Sequence, residues 1–148
     1  MRSDRAGPSG QFVWNTWFAV NTVSTHSLKI VITGASGFIG RQLVPRLRDA
    51  GCDLLLVGRD PAALQSRFAG VASCGYEALP NDGQGYDLLV HLAVLNNDAE
   101  ASPDAFERVN IGLLSEVLDH AKAAGIPRFV NVTTFHALSD KSTPYAQS

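Results

Sequence analysis

KIVITGASGFIG, residues 29–40, joins an apolar, β-branched run to three glycines. The run from Leu28 to Thr33 has the composition of a buried strand. Gly34, Gly37 and Gly40 follow it with the spacing G-x-x-G-x-x-G. Beyond them, Phe38, Ile39, Leu43, Val44 and Leu47 recur at helical spacing, and Gly51 suits a helix C-terminal cap. Pro45 removes one helical hydrogen bond and is expected to bend that helix. A glycine triplet alone says little, but one lying between a strand and a helix has a mechanism. Gly34 permits a tight turn, Gly37 lets a diphosphate approach the backbone, and Gly40 lets the helix pack closely on the sheet. The unpaired amides and the positive end of the helix then face an anion. Ser36 can add a phosphate contact. Arg41, in the first helical turn, opposes the helix dipole at a cost that a bound phosphate would offset; a solvated arginine is the alternative.

The same alternation continues along the chain. DLLLVG (53–58) reads as a second strand and PAALQSRFAG (61–70) as a second helix opened by Pro61. VASCGY (71–76) is a weak third strand, NDGQG (81–85) is turn material, and DLLVHLAV (87–94) is a strong fourth strand. Residues 102–125 read as one long helix: Ser102 caps it, Pro103 is its first residue and Gly125 ends it. Phe106, Val109, Leu113, Leu114, Val117 and Leu118 form its apolar face. RFVNVTT (128–134) is the fifth strand. The order is β-α-β-α-β-β-α-β, with a weak or missing crossover between the third and fourth strands. Apolar strands alternating with amphipathic helices predict an α/β fold, a doubly wound parallel sheet covered on both faces. Ligands in such sheets bind beyond the carboxyl ends of the strands. That places Ala93 and Asn96 at the ligand end of the fourth strand. His91, inside that strand, is expected to be a core histidine hydrogen-bonded to backbone.

Composition narrows the possibilities. The chain has 148 residues, 45% of them hydrophobic and 18% charged, with a net charge of −2. No electrostatic attraction to nucleic acid or to an anionic membrane follows from that balance. No apolar run approaches the length of a membrane span. Residues 1–27 hold two arginines and an aromatic run interrupted by Asn15 and Thr16, a poor signal-peptide core; they are expected to be a disordered or loosely packed extension. Cys52 and Cys74 make no metal-binding spacing and read as small hydrophobes in a reducing compartment. His120 and His136 have no matching ligands, so no metal site is expected.

Four stretches in order, KIVITGASGFIG, DLLVHLAV, RVNIGLLSEVLDHAKAAGIPRFVNVTT and TPYAQS, give the chain a resemblance to the extended short-chain dehydrogenase/reductases, the NAD-dependent epimerase/dehydratase family. The resemblance spans residues 28–148. It implies a Rossmann fold, here C-terminally truncated, with the substrate-binding region missing. It also implies a Ser or Thr after the fifth strand, matched by Thr134, and the tyrosine of a Tyr-x-x-x-Lys pair, matched by Tyr145. The lysine would be the residue after Ser148, so the chain is expected to be cut within its catalytic motif. Tyr145 would act as general acid or base on a substrate oxygen, and Thr134 would orient the same oxygen. The cofactor contacts implied are Gly34, Ser36, Gly37, Phe38, Ile39, Gly40, Arg41, Arg59, Ala93 and Asn110.

The end of the second strand normally carries an acidic residue that reads the adenosine ribose. Here that position is Gly58, and Arg59 follows, a residue able to pair with a 2′-phosphate. The expected cofactor is therefore NADP in preference to NAD. Asp60 either neutralises Arg59 or caps the next helix. The implied activity is hydride transfer on a nucleotide sugar or a small carbonyl or hydroxyl compound. Ten residues separate Thr134 from Tyr145, which leaves little loop to shape a sugar-nucleotide pocket, so both substrate classes stay open. A complete protein would be a cytoplasmic enzyme, a homodimer, acting without nucleic acid or membrane. The alternatives are a non-catalytic NAD(P)-binding sensor or assembly factor, or a fragment inactive on its own.

Overall fold

The computed structural model describes residues 27–95 and 103–132. Among the described residues, five strands form one wholly parallel sheet: β1 (Lys29–Thr33), β2 (Asp53–Val57), β3 (Ala72–Cys74), β4 (Leu88–His91) and β5 (Phe129–Asn131). Their order across the sheet is β3-β2-β1-β4-β5. The chain winds outward from β1 to β3, crosses back, and continues on the other side through β4 and β5. This is the doubly wound Rossmann arrangement, and the crevice between β1 and β4 is its switch point.

Side chains alternate across the sheet with a period of two, and each face has its own core. Ile30, Ile32, Leu54, Leu56 and Val90 pack with Val44 of α1 (Gly40–Asp49) and Leu64 of α2 (Pro61–Arg67). Val31, Leu55, Val57 and Leu89 pack on the opposite face with Leu79 of α3 (Leu79–Asp82) and Val117 and Ala121 of α5 (Leu113–Ala123). Burying each such aliphatic side chain contributes about 1.5–3 kcal/mol. Cys74 belongs to the second core and is a free thiol. Burial, and then the charge and hydrogen bond of Asp82, push that thiol up to about 11, which leaves it protonated.

Several elements depart from the sequence reading. Phe38 and Ile39 lie in the turn before α1 and are 76% and 48% exposed, so Leu43, Val44 and Leu47 alone make that helix's core face. The crossover between β3 and β4 exists, as a 3-10 turn (Tyr76–Ala78) running into the single turn of α3. It escapes notice in the sequence because one turn is too short to show a period. The long helix is α4 (Pro103–Phe106) and α5 joined by a π-helical turn, Glu107–Gly112. The wider turn breaks the 3.6-residue period. A face counted straight through it is therefore misassigned: Leu118 is 40% exposed, and Ala121 takes a place in the core. No described helix is long and apolar enough to cross a membrane.

Candidate functional site

Gly34 leaves β1 with φ +70°, in the left-handed region. A Cβ there would lie 2.5 Å from the Ala93 nitrogen and from the Leu92 carbonyl carbon. The glycine therefore serves both the turn and the close approach of the chain leaving β4. Gly37 donates its amide to the Gly34 carbonyl at 3.0 Å, and the Arg41 amide bonds the Gly37 carbonyl at 3.0 Å. Gly40 differs from expectation. A Cβ there would meet the backbone of Ala35 at 2.5 Å, so the close contact is between α1 and its own turn. α1 begins without a side-chain cap and without an acidic residue in its first turn. The Gln42 and Leu43 amides bond the Ile39 carbonyl, at 3.0 and 2.9 Å, so the first amides of α1 are paired with backbone. What an anion would supply at this exposed helix start is the negative charge that no side chain provides.

The turn opens onto a cleft of about 420 Å³ beyond the carboxyl ends of β1, β2 and β4. Gly34, Ala35, Ser36 and Gly37 form one wall. Gly58, Arg59 and Asp60 form the second, and Leu92–Leu95 the third. Of the expected contacts, Gly34, Ser36, Gly37, Arg59 and Ala93 line this cleft. Phe38, Ile39, Gly40, Arg41 and Asn110 are not among its lining residues. Phe38, Ile39 and Arg41 stand exposed beside the turn. Asn96, Thr134 and Tyr145 lie outside the described residues.

Asn110 is buried in the π turn, and its amide clamps Leu95. Its Oδ1 accepts the Leu95 amide at 2.7 Å, and its Nδ2 donates to the Leu95 carbonyl at 3.0 Å. Asn110 thus holds the strand β4 exit that walls the cleft, while its neighbour Val109 lines it. His91 is buried beneath the same exit. Its Nδ1 is 2.8 Å from Thr33 Oγ1, so its partner is a side chain of β1 rather than backbone alone. Burial lowers the imidazole's pKa, and a backbone hydrogen bond at Ala93 pulls it partly back.

The second wall resolves the choice at Asp60. Its Oδ1 accepts the Ala63 amide at 3.0 Å and caps α2. The ion pairs among the described residues are Lys29–Asp53 and Arg48–Asp49, so Asp60 makes no ion pair with Arg59. The sequence reading missed Arg67 and Tyr76, which also line this wall. Burial pushes the Tyr76 phenol up, Arg59 pulls it down and Glu116 raises it again.

Solved structures share this architecture. UDP-N-acetylglucosamine 4-epimerase from Bacillus cereus is 26% identical, with a TM-score of 0.60 over 79% of this chain and 44% of its own. A uronate dehydrogenase variant from Agrobacterium tumefaciens, complexed with NAD, is 25% identical, with a TM-score of 0.56 over 76% of this chain and 43% of its own. A short-chain dehydrogenase/reductase superfamily protein from the same organism, with bound NAD, shares the fold at 24% identity and a TM-score of 0.64, over 80% of this chain and 41% of its own. The chain spans less than half the length of each. No curated protein matches it. The family model for NAD dependent epimerases/dehydratases matches residues 30–147, which takes in the glycine turn, the cleft and all of the sheet but Lys29, and the chain belongs to that family.

Proposed function

We propose that this chain binds NADP, or less tightly NAD, in the cleft at the β1–α1 turn. The complete site then serves hydride-transfer chemistry on a nucleotide sugar or a small carbonyl or hydroxyl compound. The observation that carries the reading is the uncapped start of α1 behind a glycine turn at the sheet's switch point. A coenzyme held there supplies the redox chemistry as hydride donor or acceptor. The turn Gly34–Gly37 and the positive end of α1 would hold its diphosphate, with the backbone of Phe38, Ile39 and Gly40 and the side chain of Arg41 beside it. Arg59 would take a 2′-phosphate, because the position before it is Gly58 and bears no carboxylate. Ala93, kept in place by the Asn110–Leu95 clamp, would wall the opposite side.

Thr134 and Tyr145 are the residues we assign to the chemistry. A free phenol titrates near ~10, so a neighbouring cation is needed for Tyr145 to act as a base at neutral pH. The Thr134 hydroxyl would hydrogen-bond the same substrate oxygen and fix its position. Residues 28–148 would be the coenzyme-binding unit and residues 1–27 an extension to it. The same reading includes a cytoplasmic homodimer, and two cysteines without a disulfide fit a reducing compartment.

Titration with NADPH and with NADH, followed by coenzyme fluorescence, tests the reading. Saturable binding, tighter for NADPH, is expected. Binding of neither coenzyme would overturn it. In a form with turnover, Tyr145→Phe should cost about 10²–10⁴ in kcat while leaving coenzyme affinity unchanged. Turnover that survives removes Tyr145 from the chemistry. A full-length form that binds coenzyme without turning over would favour the non-catalytic sensor or assembly factor.

A further inference from the structure

Arg67 lines the cleft beside Arg59 and Tyr76, and the coenzyme reading above gives it no task. It comes from the last turn of α2, whereas Arg59 comes from the loop that precedes the helix. Charge on this wall is one-sided. Asp60 is the sole carboxylate among the described lining residues, and it is engaged as the α2 cap. Position 58, which could carry another, is a glycine. Both arginines are exposed, and neither belongs to an ion pair among the described residues. Two further carboxylates stand near this wall without lining the cleft: Glu116, which acts on the Tyr76 phenol, and Glu77, next to Tyr76 in the chain.

Two arginines lining one cleft, with its described carboxylate engaged as a helix cap, suit a doubly charged oxyanion. A phosphate monoester is such a group near neutral pH, and it can accept from two planar forks at once. We infer that Arg67 is a second arm for the adenosine 2′-phosphate of NADP, acting with Arg59, so that coenzyme choice is set by a pair of arginines. This rests on the coenzyme reading above. A cation in the last turn of α2 also complements the helix dipole. That role alone would cost stability on removal and leave the ratio of the two coenzymes unchanged.

The test is a titration of the whole chain with NADPH and NADH, comparing the wild type with Arg67→Gln, Arg67→Lys and Arg59→Gln. Arg67→Gln should weaken NADPH on the order of tenfold while NADH changes less than about twofold. Arg67→Lys should recover part of the loss, because a point charge replaces the fork. Competition on the unaltered chain provides a measurement independent of variant folding. Adenosine 2′,5′-bisphosphate should displace NADPH at lower concentration than adenosine 5′-monophosphate does. An unchanged NADPH-to-NADH ratio in Arg67→Gln, equal loss of both coenzymes, or equal competition by the two nucleotides overturns the inference. Wild-type chain that binds NADH as tightly as NADPH also overturns it, while leaving the coenzyme site standing. Wild-type chain that binds neither overturns both.

Discussion

Gly34 turns out of β1 at φ +70° with the backbone of Leu92 and Ala93 pressed against the place a Cβ would occupy. Gly70 also has positive φ, +81°, but nothing lies within 4 Å of its missing Cβ. The two positions separate conformational strain from collision. Gly70→Ala should cost about 1 kcal/mol from the left-handed backbone alone. Gly34→Ala should cost about 3 kcal/mol or more, because two backbones must also part. Urea denaturation midpoints compare them, and equal costs would contradict the packing at β4. His91 supplies a pH dependence. Its folded pKa lies below the ordinary 6.5 because it is buried. The unfolded chain therefore binds more protons in the window below 6.5. Stability contributed by the neutral ring is complete above that pH and declines as pH falls toward the depressed value. The urea midpoint should drop between pH 7.5 and 5.5, and the drop should shrink in His91→Asn. An identical slope in the variant would mean the titrating group lies elsewhere.

The π turn at Glu107–Gly112 is the element that brings Asn110 to the β4 exit. Asn110→Leu keeps a similar volume and deletes both hydrogen bonds to Leu95, leaving a half-buried amide and carbonyl without that partner. It should cost about 2 kcal/mol and also weaken coenzyme binding, since Leu95 walls the cleft. Loss of stability with unchanged coenzyme affinity would confine Asn110 to a folding role. The sequence does not announce this element. A π turn has no composition of its own, and residues 102–125 read as an ordinary helix until the register of Leu118 and Ala121 is known. β1, β2 and β4 were legible as continuous apolar runs, and α1 by the spacing of Leu43, Val44 and Leu47, though not at its first turn. Arg67 was invisible for a different reason: a basic residue in a last helical turn already has an explanation in the dipole. Tyr76 depends on where the short crossover sets it down. Gly34, Ser36, Gly37, Arg59 and Ala93 were readable, because a strand-to-helix turn fixes the positions of its neighbours without further tertiary information.

Across the whole molecule, protection should follow the order of the strands. β1 has β2 on one side and β4 on the other, and Ile30, Val31 and Ile32 are covered on their respective faces. β5 pairs with β4, and its Phe129 and Val130 are 38% and 45% exposed. Amides of β1 should therefore exchange with solvent only when the whole sheet opens, whereas β5 can separate from β4 while both cores stay closed. Native-state hydrogen exchange should find β5 amides faster than β1 amides by about tenfold or more. Saturating NADPH adds a second comparison. Coenzyme that binds only the folded chain at about 100 times its Kd stabilises it by about 2.7 kcal/mol, which should slow the globally exchanging β1 amides. If β5 opens independently of the cleft, its amides should gain little from the coenzyme. β5 amides that exchange as slowly as those of β1, with and without NADPH, would show that the outer strand is not an independently opening edge, and that the sheet opens as one unit.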